Sequence, residues 1–259
     1  MRRFVLLVAV VAIAAAESRF TRVSAQTRTL TVAAASDLQA AMPEVVKGFE
    51  REAKATVTVS FGSSGNFFAQ IQNGAPYDVF LSADIDYPRR LVASGHADAS
   101  SLYQYATGRI VLWTRKDSGV DISGGLRSLT GAQVTRIAIA NPKYAPYGRA
   151  AEAALRYEKI YDAVHGKLVL GENISQTAQL VDSGNATVGI IALSVAAGPT
   201  LRAHGTFVEI PAATHPPIDQ AAVIISASAR KPLAREFLAY LKRPQVSEHL
   251  HKFGFAAGR

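Results

Sequence analysis

The chain has 259 residues, 49% apolar and 19% charged, and no cysteine. It can bury a large core in one or two domains, while disulfide frameworks, thiolate metal sites and cysteine nucleophiles are excluded. Its formal net charge is +8, from 28 basic and 20 acidic side chains, but the basic residues are scattered. The densest groups, YPRR (87–90) and LKRP (241–244), lack interleaved aromatics and read as solvated surface, so no nucleic-acid partner is expected.

Arg2 and Arg3 precede an apolar run over 4–16, and ESRFTRVSA follows. A basic start, an apolar stretch too short for a bilayer and small residues beyond it predict a signal peptide over 1–25. Cleavage is expected after Ala25, with an earlier option at 14–16. The mature protein is then exported to the periplasm.

From residue 28 onward, β-rich runs alternate with helical patterns. Strands are predicted at 29–34, 56–61, 78–82, 109–114, 136–140, 167–170, 188–192, 206–210 and 220–226. Between the first two, Leu38, Met42, Val45, Val46 and Phe49 share a helical face, and Pro43 predicts a loose first turn before the main body. Further helices are predicted at 66–73, 84–94, 148–159, 175–183, 232–241 and 244–252. This alternation predicts an α/β fold with mostly parallel sheets covered by helices. YQYATGR (103–109) and TFVEIPAATHPPIDQ (206–220) read as paired crossings between two lobes. The first lobe would comprise 26–106 and 218–259, the second 107–217.

Four segments share one form, in which a strand ends and small or hydroxyl residues lead into a helix. They are AAASDL (33–38), SFGSSGNFF (60–68), NPKYAPYGRAAEAAL (141–155) and GENISQTAQL (171–180). Each helix start leaves unpaired backbone N–H groups, and several aimed at one point make an anion site without lysine or arginine. Ser36 and Ser64 would add hydroxyl donors, and Gly62, Gly65 and Gly148 would let backbone approach a ligand. Ser36 also reads as a helix N-cap, with Asp37 complementing the dipole and free to face solvent. A serine before a helix is by itself only a cap, so both readings stay open on the pattern.

AAASDLQAAMPEV, FGSSGNFFAQIQNGAPYDVFLSAD, NPKYAPYGRAAEAAL and GIIALS together resemble the periplasmic molybdate-binding proteins (ModA) of molybdenum ABC transporters. The similarity runs from about residue 29 to HKFGF, with the motifs in family order. It implies a two-lobe type II periplasmic-binding-protein fold, each lobe a mostly parallel sheet flanked by helices, with a hinged cleft closing on one molybdate or tungstate. By the same resemblance, Ser36 and Ser64 correspond to serines that bind the oxyanion through hydroxyl and N–H. Tyr147 and Ile174 match backbone N–H donors, and Asp37 adds its N–H as in some relatives. These residues reach the metal only through the oxyanion's oxygens, and no other cofactor is implied. The implied partner is the membrane permease of a molybdate ABC transporter, with the binding protein itself a monomer and not an enzyme. Some family members carry a ligand tyrosine where GIIALS has Ala192, so one hydroxyl donor is missing here.

Other signals are weaker. GSSG (62–65) is not a G-x-S-x-G nucleophile elbow, because Asn66 stands two residues after Ser64. Glu248-His249-Leu250-His251 is no helical zinc motif, since i and i+2 point apart on a helix. Trp113, Tyr103 and Tyr105 read as structural. The alternatives left by the residues alone are a carrier of another tetrahedral oxyanion (sulfate or phosphate) and a serine-dependent hydrolase.

Overall fold

The computed structural model describes residues 28–258; the predicted signal peptide lies outside the described residues. Two sheets organise the chain. The first has the order β11-β4-β10-β3-β1-β2, built from β1 (Thr29–Ala35), β2 (Thr56–Gly62), β3 (Val79–Ser82), β4 (Tyr103–Gly108), β10 (Ile218–Ile224) and β11 (Ala256–Ala257). The second has the order β7-β6-β8-β5-β9, from β5 (Ile110–Arg115), β6 (Ile137–Ala140), β7 (Leu168–Gly171), β8 (Val188–Ala192) and β9 (Gly205–Glu209).

In the first sheet β1 runs parallel to β2 and β3, in a register that pairs Ala35 with Gly62 and Ala34 with Leu81. In the second, β6 runs parallel to β7 and β8, pairing Ala140 with Gly171. Parallel pairing brings strand C-termini to one edge, so the loops that follow these strands gather there.

The α/β class is as expected, but the sheets are mixed and not mostly parallel. β10 is antiparallel to β3 and β4, and β5 is antiparallel to β8 and β9. The reason is the route of the chain. It leaves the first sheet along β4, crosses at Arg109 into β5, exits the second sheet along β9 and returns along β10. Outgoing and returning segments lie side by side, so each pair must be antiparallel. The segment 103–108, expected as one of two paired crossings, is a strand that pairs with the returning β10.

Helices α1 (Met42–Ala53), α9 (Lys231–Leu241) and α10 (Pro244–Lys252) cover one face of the first sheet. Leu30, Val32 and Ala34 of β1 pack there with Phe49, Phe237 and Leu250, and Phe49 meets Phe237 edge to face at 5.1 Å. Ala33 points to the opposite face, onto Phe67, Phe68 and Leu91 of α2 (Ser64–Gln72) and α3 (Asp86–Ala93). This alternation is the period of two that a strand imposes. Burying each large side chain contributes about 1.5–3 kcal/mol.

The second sheet packs against α4 (Pro146–Tyr157), α5 (Tyr161–Val164), α6 (Ile174–Asp182), α7 (Leu193–Ala196) and α8 (Pro199–His204), with Trp113 fully buried in its core. Trp113 is therefore structural, as read from the sequence. Its indole lies over Gly205, where any Cβ would collide with it. Among the described residues no helix is long and apolar enough to cross a membrane.

Candidate functional site

Each of the four motifs starts a helical segment at the gathered strand ends. Ser36–Leu38 is a short 3-10 turn whose cap position is Ala35, and no side chain caps it. The expectation that Ser36 is the N-cap is corrected: the chain turns one residue earlier, and α1 begins only at Met42, with Pro43 in its first turn. The Ser36 hydroxyl is thus not used as a cap.

Ser64 is the first residue of α2, after Ser63 in extended backbone. Tyr147 is the second residue of α4, whose cap Ala145 is extended, as a residue before proline prefers. Ile174 opens α6, where the Asn173 side chain accepts the Gln176 N–H at 3.0 Å. Residues in such first turns carry N–H groups without an intrahelical acceptor.

Ser36, Asp37, Ser64, Tyr147 and Ile174 all line one cavity, together with Ser63 and Ala83. The cavity is small, about 10 Å³. It suits one compact group and no extended organic molecule. Hollows of about 430 and 510 Å³ lie elsewhere, between α6 and α8 and beside Tyr240. Neither collects these helix starts.

The two halves of the molecule meet around the cavity. The Ser175 hydroxyl donates to the Ser36 carbonyl at 2.9 Å, and the Ser194 hydroxyl to the Asp37 carbonyl at 2.8 Å. The Gly65 N–H donates to the Tyr144 carbonyl at 2.9 Å. Arg149 pairs with Asp84 and also reaches the Tyr87 hydroxyl.

Gly65 and Gly148 stand against neighbouring protein backbone. A Cβ on Gly65 would stand 2.7 Å from the Tyr144 carbonyl oxygen, and one on Gly148 would collide with the Ala140 carbonyl. Both glycines admit neighbouring backbone. Gly62 lines the cavity, and the Phe67 ring fills the space where its Cβ would stand.

Ser64 Oγ accepts the Ala83 N–H at 2.9 Å. Accepting polarises the hydroxyl and leaves its own proton free to donate into the cavity.

Asp37 does not face solvent; it is fully buried. Its Oδ2 accepts from the Tyr147 hydroxyl at 2.8 Å and from Gln220 Nε2 at 2.6 Å. Gln220 Nε2 also lies 2.9 Å from the Tyr147 oxygen, and its Oε1 accepts from Tyr105 at 2.7 Å. Burial pushes the Asp37 carboxyl up to about 6, against the lowering effect of the Gln220 and Tyr147 hydrogen bonds. Burial first, and then the Asp37 charge, holds the Tyr147 and Tyr105 phenols well above their ordinary range. Asp37 Oδ1 and Ser63 Oγ are buried with no hydrogen-bond partner.

Gln220, Tyr105 and Ser63 belong to the site in addition to the residues expected from the sequence. A polar Gln220 in the otherwise apolar run AAVI was the available signal for the first. Ala192 ends β8 fully buried and does not line the cavity. Among the described residues no histidine hydrogen-bonds Ser36, Ser63 or Ser64. Nor do the described residues hold a cluster of histidine, cysteine or carboxylate that could bind a metal ion.

The family model of bacterial extracellular solute-binding proteins matches residues 30–256. The molybdate-binding protein ModA of Azotobacter vinelandii is 38% identical over 232 residues, 90% of this chain and 91% of that protein. ModA of Rhodobacter capsulatus is 38% identical over 200 residues, 77% of each. The solved A. vinelandii periplasmic molybdate-binding protein superposes with a TM-score of 0.83 at 33% identity, covering 89% of this chain and 100% of that one.

Proposed function

The chain belongs to the bacterial extracellular solute-binding proteins, on its match over residues 30–256, and we propose that it captures molybdate or tungstate in the periplasm and delivers it to an ABC transporter permease. It is a carrier and not an enzyme. The two relatives that are 38% identical to it, over 90% and 77% of its length, are molybdate-binding proteins.

One observation carries the reading within the molecule: helix starts from both sheets, with two serine hydroxyls, surround a cavity for one compact group. No lysine or arginine lines it. Neutral donors then hold a dianion, each charge-assisted hydrogen bond contributing about 1.5–3 kcal/mol. In this reading Ser36 and Ser64 donate through hydroxyl and N–H, while Asp37, Tyr147 and Ile174 donate through N–H. The boundary expected after 106 moves to the crossing at Arg109, because Thr107 and Gly108 belong to β4; lobe one is then 26–108 and 218–259, lobe two 109–217, and the anion closes them on each other. Residues 1–25 direct export, and the mature protein is a monomer with no nucleic-acid partner.

Calorimetry with molybdate, tungstate, sulfate and phosphate tests this. Molybdate and tungstate bind with similar strength and well ahead of the others. Sulfate or phosphate binding more tightly than both would reassign the ligand.

A further inference from the structure

Ser63 precedes the first residue of α2 in extended backbone, with φ −79° and ψ 143°. That is the position where a serine usually accepts an N–H from the first turn. It does not do so here: no side-chain cap bond forms. The residue is only 4% exposed, and its Oγ has no hydrogen-bond partner. Buried hydroxyls are nearly always paired, and an orphan is costly enough to call for an occupant.

Ser63 lines the same small cavity as Ser36 and Ser64. Its neighbour Ser64 is anchored by the Ala83 N–H, whereas Ser63 has nothing on the protein side to satisfy it. An oxygen-rich anion in the cavity would supply the missing acceptor. Asp37 Oδ1, the other fully buried side-chain oxygen without a partner among the described residues lining the cavity, makes no hydrogen bond to Ser63.

From this geometry we propose that the Ser63 hydroxyl is a further ligand of the bound oxyanion, a third side-chain donor beside Ser36 and Ser64. It supplies a hydroxyl that Ala192 cannot. The inference rests on the oxyanion reading of this cavity.

The test is calorimetric titration of sodium molybdate into the mature parent, Ser63→Ala and Ser63→Gly, with the melting temperature of each unliganded protein. Glycine is included because it is favoured at a cap position and lacks the hydroxyl. The expected result is a 10-fold or greater loss of molybdate affinity in both variants, the size of one charge-assisted hydrogen bond. Unliganded Ser63→Ala melts no lower than the parent, because no cap bond is lost. Parent-like affinity in either folded variant would overturn the role of Ser63 and leave the oxyanion reading standing. A parent that binds no molybdate, tungstate, sulfate or phosphate would overturn both.

Discussion

Tyr147 and Asp37 share a buried hydrogen bond of 2.8 Å across the boundary between the two sheets. Tyr147 follows the second sheet's β6, and Asp37 follows β1 of the first. On the resemblance alone, only the backbone N–H of Tyr147 matters, so truncation to alanine should be mild. The structure gives the side chain a second task, which is to hold the halves together over the cavity.

Tyr147→Phe keeps the ring and the N–H but removes this bond, leaving Asp37 Oδ2 with Gln220 alone. Loss of a buried hydrogen bond to a charged group is worth about 1.5–3 kcal/mol. The variant should bind molybdate at least 10-fold more weakly by calorimetry, with every proposed anion donor intact. An affinity equal to the parent's would show that the bond does not favour the closed form.

Asp37 predicts a pH dependence with a definite sign. Its folded value of about 6 lies above the ordinary 3.8, so between those values the folded state holds the proton more tightly than the unfolded chain. The stabilising contribution is therefore full below about pH 4 and is lost as pH rises through 6. The loss is about 3 kcal/mol at one pKa unit per 1.36 kcal/mol. Asp37→Asn can still accept from Tyr147 and Gln220 but has no charge to bury. Its unliganded melting temperature, relative to the parent, should be lower or equal at pH 4.5 and rise towards pH 7. A difference that stays flat across this range contradicts the assignment.

Ser36→Ala and Ser64→Ala should each weaken molybdate binding by about 10- to 150-fold, the range for one charge-assisted hydrogen bond. They differ in stability. Ser36 caps nothing, so its alanine variant should melt like the parent without ligand. Ser64 Oγ accepts the buried Ala83 N–H, so its loss strands a donor at a cost of about 1–3 kcal/mol. Thermal unfolding of the unliganded proteins should place Ser64→Ala several degrees below Ser36→Ala. Equal melting temperatures would remove the anchoring role of Ser64.

Gly65→Ala should block closure without unfolding either half. Its Cβ would meet the Tyr144 carbonyl oxygen of the other half at 2.7 Å, a backbone contact that cannot relax while the halves are shut. Alanine is otherwise the better helix former by about 1 kcal/mol. Small-angle scattering should show the parent contracting on saturation with molybdate while Gly65→Ala keeps the radius of gyration of its unliganded form. Contraction of the variant by the parent's amount would refute the steric block.

Short-range patterns carried most of the architecture. The alternation of Leu30, Val32 and Ala34 marks a strand with one face on a core, and Pro43 marks where α1 begins, because both depend on backbone geometry within a few residues. The helix starts at Ser64, Pro146 and Ile174 were readable within about two residues for the same reason. So were the serines and glycines that set them out as an anion site. The short β4 was missed because YQYATG has no apolar alternation; it is a strand by pairing with β10 and β11.

What the sequence by itself determined, then, is the kind of elements, their order and the residues at each helix start, since these follow from local propensity and periodicity. Only the tertiary structure decided what those residues do besides. Asp37 lies 110 positions from Tyr147 and 183 from Gln220, and no local rule links a residue at a helix start to a glutamine on a distant strand. The same holds for Gly65 against Tyr144 and for the unpaired hydroxyl of Ser63. Burial and partnership are properties of the packed whole: a carboxylate is solvated or fully enclosed according to which segments the sheets bring over it.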